Sequence, residues 1–220
     1  MGKIKNTVEF LKKIDLIQYI KLNFCTQQII RQGQGKIVPY KNSIIDFDKT
    51  AKIYIQDDDI EIGTDQLKRS KTETYIRLHK NAIWDAKKGC RISYGSTIEV
   101  LENAQLKSDF FTMNSWGTLI AKKYISLGQD VMIARRAIIF DSDFHPIMDE
   151  FKIESEISKE VIIGKHVWIG ANSVILKGVK IGDNSIIAAN SLVTKDIMNN
   201  TLVGVKSECI VLKRKVEWRR

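Results

Sequence analysis

The chain has 220 residues, 44% hydrophobic and 28% charged, with a formal net charge of +9. That suits one solid domain with appended ends and excludes a disordered or fibrous composition. Only two prolines occur, and no stretch approaches the roughly 20 apolar residues that cross a bilayer. The opening MGKIKNTVEF has no long apolar segment before a small-residue cleavage site, so it does not read as a signal peptide. Three scattered cysteines, Cys25, Cys90 and Cys209, read as reduced thiols of a cytoplasmic protein, packed as small hydrophobes. Charge is uneven. Residues 141–160 hold seven acids against two bases, while the tail VLKRKVEWRR is densely basic. A basic surface favours anionic partners, but no recognition helix, zinc spacing or RNA-binding aromatic motif points to nucleic acid.

Residues 6–20 (NTVEFLKKIDLIQYI) place Val8, Leu11, Ile14, Ile17 and Ile20 near one stripe, which predicts a helix. We assign 1–35 as a helical cap, with a membrane-surface helix as the alternative. From Lys36 to about Ile125, segments such as SIIDFDKTAKIYI and YIRLHKNAIWDA alternate apolar and polar residues, with period six only in patches. These read as early, irregular coils. From Leu127 the pattern sharpens through Ile133 and Ile139, with Val131 and Ala137 in a small-residue slot. Segment 141–160 then loses the repeat and reads as a loop excursion, where solenoids commonly carry functional groups.

The repeat resumes at Val161. Ile163, Ile169, Ile175, Ile181, Ile187 and Val193 recur every sixth residue. Gly164, Gly170 and Gly182 follow three of them, and Val167, Ser173, Val179, Ser185 and Ser191 fall four positions on. A period of six fits neither one helix nor one strand. Three hexads close a triangular coil of about 18 residues. Coils stack about 4.8 Å apart. The aliphatic residue enters the core and the next position sits at a corner, where glycine, or asparagines such as Asn172, Asn184 and Asn190, tolerate positive φ. The expected fold is thus an all-β solenoid over 36–205, a parallel β-helix of hexapeptide repeats. A short helical cap precedes it and a basic tail, 206–220, follows.

The run VIIGKHVWIGANSVILKGVKIGDNSIIAANSLVTKD closely resembles the C-terminal coils of hexapeptide-repeat O-acetyltransferases. The upstream SDFHPI resembles the loop that carries their catalytic histidine. The groups it resembles are the galactoside, maltose and xenobiotic acetyltransferases and the capsule and lipopolysaccharide O-acetyltransferases. Residues 124–204 carry the likeness. It implies a left-handed helix, a homotrimer and active sites between subunits, with acetyl-CoA as co-substrate and no metal. The acceptor it implies is a carbohydrate hydroxyl, most naturally of a bacterial surface glycan or its precursor. Peripheral contact with membrane-linked precursors at the inner membrane face is a further expectation.

A sugar hydroxyl attacking a thioester needs a base, and histidine suits that work. Of His79, His145 and His166, only His145 lies in the acidic excursion and matches the resemblance's catalytic histidine. Its second nitrogen needs an acceptor, for which Asp143, Asp141 or a backbone carbonyl is available, with Asp143 favoured. His166 and His79 read as structural. The resemblance further implies Asn114 as an acceptor contact and Trp168 as the active-site tryptophan. It gives the Ala171 N–H as an oxyanion donor, Ala171 and Ala189 as pantetheine contacts, and Thr194 and Lys195 near the adenosine phosphates. Trp168 alternatively serves as a surface aromatic at the subunit interface. Relatives usually continue Gly-x-Pro-Ala-Lys; here Gly204-Val205-Lys206-Ser207-Glu208 lacks the proline.

Three other readings remain. An N-acetyltransferase of amino-sugar nucleotides would use the same fold and base. A non-catalytic glycan-binding solenoid would explain coils and charge but not the histidine loop. A γ-type carbonic anhydrase would need three converging histidines, which this spacing does not resemble.

Overall fold

The computed structural model describes residues 10–148 and 155–205. Strands recur in threes and build three parallel sheets of seven, eight and seven strands. The first face starts at Ile29–Arg31 and ends at Lys180–Ile181. The second runs from Ile37–Pro39 to Leu202–Val203, and the third from Ser43–Phe47 to Leu192–Val193. The chain visits the faces in order and returns, so the molecule is a parallel β-helix of triangular section; its hand is left. Its first strand lies ahead of the boundary expected at residue 36.

The hexad periodicity translates directly into register. Ile162 pairs with Lys180, Trp168 with Ile186 and Val174 with Leu192, eighteen residues apart in each case. Ile163, Ile169, Ile175, Ile181, Ile187 and Val193 are all buried, and so is the small-residue slot at Val167, Ser173, Val179, Ser185 and Ser191. The irregular early segment builds full coils too. Its core holds Trp84, whose indole N–H donates to Ser108 Oγ at 3.0 Å, so a large buried ring leaves no polar atom unpaired. Two excursions interrupt the coils. The one between Phe140 and Val161 was expected; the one between Thr64 and Thr74 was not. Its TDQLKRSKTE sequence lacks the proline and acidic run that marked the other.

Corner chemistry differs from expectation in one respect. Asn172, Asn184 and Asn190 do adopt positive φ (57°, 58° and 61°), but Gly164, Gly170 and Gly182 do not. Those glycines serve close approach instead. A Cβ at Gly170 would lie 2.6 Å from the Ala189 nitrogen, and one at Gly164 2.8 Å from that of Asp183. Neighbouring coils leave no room for a methyl group. Asparagine side chains also form short ladders, with Asn172 donating to Asn190 and Asn184 to Asn200, each at 3.1 Å.

The N-terminal segment differs more. Its helix is broken at Ile14, which bridges Tyr40, and restarts at Leu16–Ile20 with Asp15 accepting from the Gln18 N–H at 2.9 Å. A π-helical turn, Lys21–Cys25, continues it. Of the predicted stripe's described residues, Ile14 alone is packed. Ile14 and Leu22 are buried, whereas Leu11, Ile17 and Ile20 are exposed, as is Cys25; Val8 and Cys209 lie outside the described residues. The segment caps the solenoid by hydrogen bonding as much as by packing. Asn23 Nδ2 donates to the Ile37 carbonyl at 2.7 Å, and the Ile37 N–H donates to Asn23 Oδ1 at 3.0 Å. One amide side chain so replaces the missing neighbour strand at the first rung of the second face. Among the described residues no helix is long and apolar enough to cross a membrane.

Replacing Asn23 by alanine strands both buried backbone groups of Ile37. We expect a stability loss of about 2–4 kcal/mol, read as a lower urea midpoint at unchanged slope.

Candidate active site

His145 sits at the corner where the third face turns back to the first, on the excursion that leaves Phe140. Several bonds build the turn that presents it. Asp141, fully buried, accepts the N–H groups of Lys122, Lys123 and Tyr124 at 2.7, 2.8 and 2.7 Å. Burial pushes its carboxyl up from the usual range, against the pull of those three donors. Ser142 Oγ accepts the Phe144 N–H at 2.9 Å, and the Asp143 N–H donates to the Ile157 carbonyl at 2.9 Å. Ser142 and Ser158 form an antiparallel bridge. The outgoing and returning limbs are thus zipped together. Phe144 is forced to φ 62°, a conformation a bulky residue rarely holds, and its ring packs edge-on to Phe140 with centroids 5.6 Å apart. His145 follows immediately, with its side chain exposed.

Lys177 locks this turn from the coil above. Its Nζ lies 2.5 Å from Asp143 Oδ2 and also donates to the Glu156 carbonyl. The pair is sheltered, at 17% and 28% side-chain exposure. Neither carboxylate expected to orient the imidazole does so directly. Asp141 is engaged by backbone and Asp143 by Lys177, and among the described residues His145 bonds to neither. Lys177 was not singled out from sequence. It sits in the repeat run ILKGVKIG, where a lysine looks like any solvated rung, and only the excursion folding back over it gives it partners.

The remaining candidates divide between locations. Asn114, Ala171 and Ala189 lie at the corner between the second and third faces. Asn114 has an exposed side chain, and its N–H donates to the Ile133 carbonyl at 2.8 Å. Ala171 and Ala189 are on adjacent coils, tied by the bond from the Asn190 N–H to the Ala171 carbonyl (2.8 Å). The N–H groups of Ala171 and Ala189 themselves have no acceptor among the described residues. Thr194 and Lys195 stand at the His145 corner, two coils on, and line a shallow cavity of about 170 Å³ with Val193, Val203 and Gly204. Trp168 is half-exposed on the second face, in an outward column with Met132, Ile186 and Leu202.

One chain therefore does not unite His145 with Asn114 or Ala171, because the width of the third face separates them. The other histidines are occupied elsewhere. His79 Nε2 lies 2.6 Å from Glu99 Oε1, and His166 Nδ1 lies 2.6 Å from Asp130 Oδ2 at the corner between the first and second faces. A cavity of about 480 Å³ is at that same corner, with Asp58, Asp59, Glu61 and Asp130 against Lys88 and Arg91. Its charge is the wrong sign for phosphate groups.

Comparison with known proteins places the chain beside hexapeptide-repeat proteins. The bacterial transferase hexapeptide (six repeats) family matches residues 160–195. A polysialic acid O-acetyltransferase of Escherichia coli O1:K1 is 33% identical over 151 residues, 66% of this chain and 45% of that protein. A galactoside O-acetyltransferase of Lactococcus lactis is 41% identical over 100 residues, 45% of this chain and 47% of that one. The chain spans about half the length of these two curated relatives. Among solved structures, the polysialic acid O-acetyltransferase OatWY superposes with a TM-score of 0.52 at 26% identity, over 87% of this chain and 91% of that one.

Lys177→Met removes the ion pair that ties the turn to the next coil. The N–H groups of Asp143 and Phe144 should then exchange with solvent at least tenfold faster, as hydrogen-exchange mass spectrometry would show, while the buried strands keep their protection.

Proposed function

We propose that this hexapeptide-repeat chain, whose relatives are carbohydrate O-acetyltransferases, moves an acetyl group from acetyl-CoA to a hydroxyl of a glycan or glycan precursor, with His145 as general base. One observation carries the reading. The excursion that breaks the repeat is held by Asp141, Ser142 and Lys177 so as to set an exposed imidazole on the edge of the prism. A turn held this firmly, with a strained phenylalanine before the histidine, is poorly explained by structure alone.

The rest of the site comes from a second protomer. His145 and Ala171 lie at different corners, so they meet only where two prisms pack side by side. The outward column of Met132, Trp168, Ile186 and Leu202 supplies the apolar surface such packing would cover. We take the assembly to be a homotrimer with a site in each cleft.

Acetyl-CoA would supply an activated acyl group as a thioester. The residues present fit it: N–H groups at Ala171 and Ala189 that have no acceptor among the described residues suit a chain of amides, and Lys195 beside the cavity at Thr194 suits phosphate. His145 takes the proton of the acceptor hydroxyl as that oxygen bonds to the acyl carbon. The Ala171 N–H holds the negative charge that gathers on the carbonyl oxygen. His145 then delivers the proton to the departing sulfur. Asp143 acts through the loop rather than on the imidazole, since its carboxylate anchors the turn through Lys177. Asn114 contacts the acceptor, and Trp168 offers a broad face to the pantetheine arm. Such chemistry belongs in the cytoplasm, acceptors at the inner membrane face included.

His145→Ala should lower kcat by a hundred- to ten-thousand-fold with acetyl-CoA and a glycan acceptor, while light scattering still reports the same assembly. Near-normal turnover in a folded assembly would falsify the mechanism.

A further inference from the structure

The corner between the second and third faces repeats one backbone conformation from coil to coil. Trp116, Arg136, Asn172 and Asn190 hold equivalent places there, with φ of 69°, 58°, 57° and 61°. Register fixes the equivalence. The Arg136 N–H donates to the Ser115 carbonyl at 3.3 Å, that of Asn172 to Arg135 at 3.0 Å, and that of Asn190 to Ala171 at 2.8 Å. Asparagine tolerates this left-handed conformation, and the chain uses it at Asn42, Asn81, Asn103, Asn184 and Asn200 as well. Tryptophan and arginine bring a crowded Cβ and no compensating local bond. Two successive coils carry them nonetheless, which is the pattern expected where a side chain is kept for what it touches outside the fold.

Both side chains face outward. Trp116 is 45% exposed. Its six-membered ring covers Gly95, where a Cβ would sit 2.9 Å from Cδ2, and Tyr94 meets the indole edge-on with centroids 6.3 Å apart. The ring is fixed underneath and bare above. Arg135 and Arg136 are exposed, and among the described residues neither forms an ion pair. Trp116 stands two residues from Asn114, and Arg135 lies one coil below Ala171.

We propose that Trp116 and Arg136, with Arg135 beside them, form an acceptor subsite for an acidic sugar. The apolar face of the pyranose ring stacks on the indole, and the guanidinium groups take its carboxylate or phosphate. What the bound sugar is for rests on the acetyl-transfer reading; that it binds does not. Two coil spacings, about 10 Å, separate the Trp116 coil from the Ala171 coil. That is close to the length of two linked sugar rings, so a unit held on Trp116 leaves its neighbour at the reacting corner.

The test is direct binding to the full-length protein by calorimetry, without acetyl-CoA, of three probes: an oligomer of sialic acid, glucose 1-phosphate and neutral lactose. At least one anionic probe should bind ten times more tightly than lactose and weaken with salt. Trp116→Asn and Arg136→Asn should each weaken that probe at least tenfold, with Arg136→Lys intermediate. Because asparagine suits the conformation, both variants should melt at the same temperature as the parent or higher. The carboxylate and phosphate arms tell which anion is read. Absence of an anionic preference in the parent, including failure of every probe to bind, overturns the subsite. So do asparagine variants that bind as the parent does, whether or not they melt lower. Acetyl transfer is a separate readout. Binding that depends on Trp116, with no transfer to any bound sugar, keeps the subsite and removes the transferase reading.

Discussion

Everything in this molecule is arranged around the distance between stacked coils. Each turn must lie a hydrogen bond from the next along all three faces and around the corners. That spacing leaves no room for a Cβ at Gly164 or Gly170, and it bends the corners into left-handed conformations that asparagine fills. It also fixes where variation is allowed. A strand residue is locked by two neighbours, one above and one below, so insertions and unusual side chains collect at corners.

The chemistry follows from that restriction. His145 rides on an insertion at one corner, and Asn114, Ala171 and Trp116 stand at another. The prism is rigid, so a loop that is zipped to itself through Ser142 and Ser158 and pinned by Lys177 inherits the precision of the coils. It is also straight-sided, so groups at separate corners of one chain do not meet within it. On the proposed reading, assembly and active site become the same problem. The exposed apolar column through Trp168 and the split of the candidate residues are two views of it.

Much of this was legible in the sequence. A strict sixfold recurrence from Ile163 to Val193 has one structural solution, and an acidic interruption containing a lone histidine marks the excursion. Less legible was whatever depends on contact between distant residues. The stripe of Val8, Leu11, Ile14, Ile17 and Ile20 suggested a packed helix face, yet the helix breaks at Ile14, which is buried, and leaves Leu11, Ile17 and Ile20 exposed, while Asn23 does the capping through its amide. The early coils hid their register because their lengths vary: Ile53 pairs with Trp84, but Gln105 with Tyr124.

By itself, then, the sequence determined the coil, because periodic burial is a local property written at every sixth residue. It also determined which residue types were available for the proposed acyl chemistry. Tertiary structure alone decided how those residues are held. Asp143 answers to Lys177 rather than to His145, and Trp116 and Arg136 are seen to occupy asparagine's place, only once coils far apart in the chain are set one above another. The reason is physical: hydrogen bonds and ion pairs between coils depend on stacking register, and a single strand carries no record of which residue will lie above it.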